Sequence, residues 1–199
     1  MTQKPDAVQS KDTGQSFAPH PEGQFPARCV DVIDLGIKPE TYPGQDTREV
    51  HKVSLVFASG ELNEEGHLHI VSGEYTNSMN EKANLRRLLE QWRGKAYADD
   101  EAKKGVPLHR LHNQPALIVV EHRQSKRGRT YACISSITPL PKQLDPPDVE
   151  VYTRPAFWED RRKEYADALA KHRAMVFANG DNVPLDESQA IDGDDDLPF

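Results

Sequence analysis

Among 199 residues there are only two cysteines, Cys29 and Cys133, and no C-x-x-C pair. That spacing gives no support to a zinc site, and both residues sit in apolar, strand-like segments where they read as buried thiols. No run of eighteen apolar residues occurs, which excludes a helical membrane span, and the start shows no signal-peptide pattern. The expected location is the cytoplasm. Also missing are a glycine-rich phosphate loop, a nucleophile elbow and a paired set of carboxylates in a rigid setting. No catalytic residue or cofactor can be assigned, so an enzyme is the least supported class. His67 and His69 share one strand face, and His109 and His112 are three apart. A third ligand at a recognisable spacing is lacking, so no metal is expected.

Positive charge is not short; it is masked. The formal net charge is −7, but seven acidic residues and no Lys or Arg lie between Ala178 and Phe199. Removing those seven from 32 acids leaves 25 against 25 Lys and Arg in residues 1–177. The body is neutral and the acidity belongs to the tail. An acidic pI therefore does not argue against nucleic-acid binding, which needs only a local basic surface.

Residues 1–23 are polar and proline-bearing and read as a disordered leader. From Gln24 to Leu35 the apolar alternation slips phase twice, which fits a long strand bent by a bulge. Gly36 is expected to end it, and residues 37–46 read as a turn-rich loop carrying Tyr42. Thr47–Ser59 is a second strand, with Val53, Leu55 and Phe57 on one face and Lys52, Ser54 and Val56 on the other. A turn at Asn63–Gly66 leads to a third strand, His67–Tyr75. A helix follows, with Ser78 and Glu81 at capping-box spacing and Leu85, Leu88, Leu89 and Trp92 along one side. Gly94 stops it. Residues 98–104 form a short helix with its acids first and its lysines last. Pro115–Arg123 and Gly128–Pro139 are the fourth and fifth strands, joined by the basic hairpin HRQSKRGR (122–129).

The order β-β-β-α-β-β is that of the OB-fold, a mainly β, five-stranded Greek-key barrel with a helix between strands 3 and 4. The domain expected at 24–142 is followed by a proline-rich linker (143–154). An amphipathic helix (155–177) comes next, with Trp158, Tyr165, Leu169, His172 and Val176 on one side. It either packs back on the barrel or joins two subunits, so a homo-oligomer is open. Residues 178–199 read as a disordered acidic tail.

That tail ends in Asp194-Asp195-Asp196-Leu197-Pro198-Phe199. Such a segment cannot order itself, but an apolar pocket rimmed by Arg or Lys would take its ring and carboxylates together. The tip resembles the C-terminal tip of bacterial single-stranded DNA-binding proteins, which recruits replication and repair enzymes. The block YTNSMNEKANLRRLLEQWRGK (Tyr75–Lys95) and the segment YACISSITPLPK (Tyr131–Lys142) resemble phage-encoded OB-fold proteins of replication modules. The resemblance implies single-stranded DNA binding in phage replication or recombination, with the tip capturing partner enzymes. A protein adaptor or decoy that competes for enzymes reading the host tail is the alternative. A strand-annealing protein is a third reading.

A sequence-tolerant binder of single strands needs cations for phosphates and rings for bases. On an OB-fold these gather on strands 2 and 3 and on the 1–2 and 4–5 loops. The expected contacts are therefore Tyr42, Lys52, His69, Tyr75, Arg123, Lys126, Arg127 and Arg129. For Tyr75 the competing role is packing on the helix start. Trp92 completes an apolar stripe and reads as core, whereas Tyr131 either flanks the hairpin or fills the barrel.

Overall fold

A computed structural model of the chain describes residues 19–42, 44, 46–63, 65–125 and 128–179. Five antiparallel strands form one sheet: β1 (Gly23–Glu40), β2 (Arg48–Leu62), β3 (Leu68–Thr76), β4 (Pro115–Gln124) and β5 (Thr130–Thr138). Their order across the sheet is β3-β2-β1-β4-β5. Helices α1 (Asn84–Arg93) and α2 (Asp99–Lys104) lie between β3 and β4, and α3 (Phe157–Asn179) follows β5. The element order is the one expected. The sheet is not closed, because β3 and β5 are its two edges and no ladder joins them among the described residues.

The long first strand serves both halves of the sheet. Residues 23–28 pair with β4, and residues 28–40 pair with β2. Its ladder to β2 slips between Cys29 and Asp31 and again between Asp34 and Gly36. Each slip turns the following side chains to the other face; the first falls where the sequence changes phase, whereas the second lies later than the sequence suggested, and Val30 and Val32 face opposite sides. Gly36 adopts φ +82°, a conformation that strains any other residue. The expectation that Gly36 ends the strand is thus corrected: it bends the strand instead. Ile37 to Glu40 then continue the pairing with His51 to Arg48, so the 1–2 loop shortens and Lys38 and Glu40 become strand residues.

Strand β2 is covered on both faces, with every residue from Lys52 to Ser59 buried. Val53, Leu55 and Phe57 join one cluster with Val71, Ile118 and the α1 leucines. Trp92 of α1 meets Phe57 edge-on at 5.1 Å, and its Nε1 donates to the Pro115 carbonyl at 2.8 Å. Trp92 is core. Val56 and Ala58 face the other way, into a second cluster with Val30, Ile33, Leu35, Trp158 and Tyr165.

The expected capping box does not form. The N-cap of α1 is Ala83, with no side-chain hydrogen bond. Ser78 Oγ accepts from the Asn80 N–H, and Asn80 Oδ1 accepts from the Lys82 N–H. These local bonds hold residues 78–82 as turns, competing with the helix for the same backbone groups.

The proline-rich segment expected as a linker is tied to the sheet. Arg28 Nε donates to the Pro147 carbonyl at 2.9 Å. Arg154 grips buried Asp31 with two bonds, 2.7 and 2.6 Å, and the Tyr152 hydroxyl donates to the same carboxylate. Of the two fates open to the last helix, packing back is the one observed: Trp158 and Tyr165 are its buried residues. At its far end Arg173 makes a paired contact with Glu49 at 2.8 and 2.7 Å.

Candidate functional site

The open edges of β3 and β5 converge. Between them, beside the first two turns of α3, lies a cleft of about 600 Å³. Ser72 to Tyr75 form one wall, and Tyr131 to Ile134 with Arg123 form the other. Asn84 closes the α1 end, and Phe157, Arg161 and Glu164 line the α3 side.

Each of these side chains has a local reason for its position. Tyr75 pairs with Val53, so it points to the same side as the α1 core. Its ring lies across Gly73, where a Cβ would collide with the Tyr75 hydroxyl; glycine is required for that pose. Tyr131 sits opposite Arg123 in the β4–β5 ladder and is half-buried. Phe157 lies tilted against buried Trp158, ring centroids 4.7 Å apart, yet stays 45% exposed. Arg161 pairs with Glu164 at 3.3 Å, one turn along α3. Burial pushes the Cys133 thiol above its ordinary range, outweighing the pull of nearby Arg123. That makes it a poor nucleophile. The cleft offers rings, the guanidinium groups of Arg123 and Arg161, the carboxylates of Glu74, Asp160 and Glu164, and two strand edges.

The eight expected DNA contacts are distributed unevenly. Tyr75 and Arg123 meet in the cleft. Arg129 is exposed on the hairpin, where the Ser125 N–H donates to the Arg129 carbonyl and Ser125 Oγ accepts from the Arg129 N–H. Lys126 and Arg127 lie outside the described residues, as do the tip residues Asp194, Asp195, Asp196, Leu197, Pro198 and Phe199. His69 stands instead beside His20, ring centroids 5.7 Å apart. His20 in turn bonds to Ser59 at 2.9 Å. Tyr42 donates its hydroxyl to Glu40 at 2.8 Å.

Lys52 is a correction. It is 2% exposed, 3.0 Å from Glu40 and 3.1 Å from Thr76 Oγ1. Its face of β2 was expected to be open, but α3 lies over it. Lys52 belongs to a buried charge group with Lys38, Glu40 and Glu74. Lys38 lies 3.0 Å from Glu40 and 3.5 Å from Glu74, and the Tyr165 hydroxyl donates to Glu74. Two cations face two carboxylates, which makes burial tolerable. Burial by itself would raise the Glu40 pKa, but the Lys52 charge and the bonds from Lys52, Tyr42 and Lys38 hold it below its ordinary value. The group pins α3 to the sheet.

Sequence reasoning left Tyr131 undecided and missed Phe157 and Arg161. The available signal was an aromatic next to Trp158 but off the apolar stripe of α3. Among the described residues, no group of His, Cys, Asp or Glu is placed to hold a metal ion, and no helix is long and apolar enough to cross a membrane. No protein-family model matches the chain, and no curated protein matches it.

Proposed function

We propose that the chain binds single-stranded DNA along the β3–β5 cleft, and that its acidic tip recruits partner enzymes in phage replication or recombination. In this reading the sheet is an OB-fold barrel opened between its third and fifth strands, which gives the order β3-β2-β1-β4-β5. The observation that carries the proposal is the meeting of Tyr75, Tyr131 and Arg123 in one cleft, at the root of a hairpin whose sequence adds Lys126, Arg127 and Arg129. Rings accept base faces regardless of sequence, and cations follow phosphates. The outer face of β1–β2–β3 is taken by α3, so the strand follows the seam rather than that face.

Titration of the full chain with labelled oligothymidine tests this. Three phosphate contacts imply a roughly 20-fold loss of affinity between 50 and 200 mM salt. Arg123→Gln should shallow the log–log salt slope by about 0.7. Duplex of equal length should bind far more weakly. No binding at low salt, or equal affinity for duplex, would overturn the proposal.

The tip makes its own prediction. Phe199→Ala, or removal of residues 192–199, should abolish retention of replication and repair enzymes from a bacterial extract while oligothymidine binding persists. Enzymes retained equally by the shortened chain would end the recruitment reading. The two open strand edges favour a second reading, an adaptor that adds a peptide strand to β3 or β5. It predicts peptide binding with no response to oligothymidine.

A further inference from the structure

The α3 helix brings to the cleft an aromatic ring that its packing leaves about half exposed. Trp158 and Tyr165 anchor the helix and are each 4% exposed, whereas the neighbouring Phe157 is 45% exposed and lines the cleft. An aromatic ring left half in water is unremarkable alone. Here it lies on the same cavity as Tyr75 and Tyr131, with the Arg161 guanidinium one turn further along. Its own pose is held from behind by the Trp158 ring at 4.7 Å and an interplanar angle of 37°. A ring braced by a buried neighbour and still about half exposed on a cleft keeps aromatic area for a base to cover.

We propose that Phe157 is a nucleobase-binding residue: an unpaired base entering the cleft stacks on Phe157, opposite the tyrosines of the strand edges. The inference rests on the reading of the cleft as a single-strand site and adds α3 to that site as its second wall. It also supplies a reason for duplex exclusion. Paired, stacked bases present edges rather than faces, so a base must leave its stack to reach the ring. The motions required belong to the nucleic acid, because α3 is fixed by Tyr165–Glu74 and Arg173–Glu49, and the segment leading into it by Arg154–Asp31.

The test compares oligothymidine, oligouridine and an abasic strand of equal length, each labelled, on full-length protein at one salt concentration. Phe157→Leu keeps apolar bulk against Trp158 but lacks a π face, and should weaken oligothymidine and oligouridine about tenfold, a typical loss for one stacked base. The abasic strand should lose less than twofold. Phe157→Trp should restore binding, and the thermal midpoint should stay within about 2 °C of the parent, as befits a half-exposed site. Equal losses on abasic and base-bearing strands, or no loss at all, would overturn the role of Phe157 while leaving the cleft proposal intact. Failure of the unmutated chain to bind any strand would remove the cleft proposal and this inference with it.

Discussion

Lys52→Met is expected to lower stability by about 3–5 kcal/mol, the usual effect of stranding the partner of a buried ion pair. For a chain of this size that is a fall in Tm on the order of 10 °C. The reason is Glu40, which is 8% exposed and would keep only Lys38 and Tyr42 against its charge. Replacing both members, Lys52→Met with Glu40→Leu, should recover most of the loss, since neither charge is then left unpaired and Lys38 still faces Glu74. The pH dependence follows from the sign of the shift. A carboxylate held below its ordinary 4.5 contributes stability that is present above pH 4.5 and lost as the pH falls through the lowered value. Unfolding of the parent should therefore show extra acid sensitivity below pH 4.5 that Lys52→Met reduces. A single variant within about 1 kcal/mol of the parent in urea unfolding would mean that the pair contributes little.

Trp158→Ala should be comparably severe, at about 3–5 kcal/mol, because it removes the largest side chain from the second cluster. Trp158→Phe should be far milder, about 1 kcal/mol. The buried Nε1 of Trp158 has no hydrogen-bond partner among the described residues, so phenylalanine gives up packing area but also removes an unpaired donor. Limited proteolysis separates this from a general loss of stability. In the alanine variant, cleavage should concentrate in residues 139–156, between β5 and α3, while the core around Trp92 stays protected. Cleavage spread evenly over the chain would mean that α3 is not a separately detachable layer.

The strands were legible because their alternation is a local property. Val53, Leu55 and Phe57 announce a face, and the first phase slip in residues 24–35 announces the bulge that placed Ile33, four residues on, opposite Cys29. The capping box was misread because Ser78 and Asn80 had nearer backbone partners, and spacing alone does not rank such competitors. Lys52 was misread for a longer-range reason. A lysine on the polar phase of a strand is solvated unless something covers that phase, and the cover here comes from α3, more than a hundred residues along the chain.

The order of elements, the bent first strand, the core role of Trp92 and the segregation of acid into the tail were all written in the sequence, since each depends on neighbours within a few residues or on counting. Tertiary structure alone decided which faces stay open. It brought the edges of β3 and β5 together, laid α3 over the polar phase of β2, and gathered Lys38, Glu40, Lys52 and Glu74 beneath it. Burial is a property of what arrives from elsewhere in the chain, and no window of local sequence contains that.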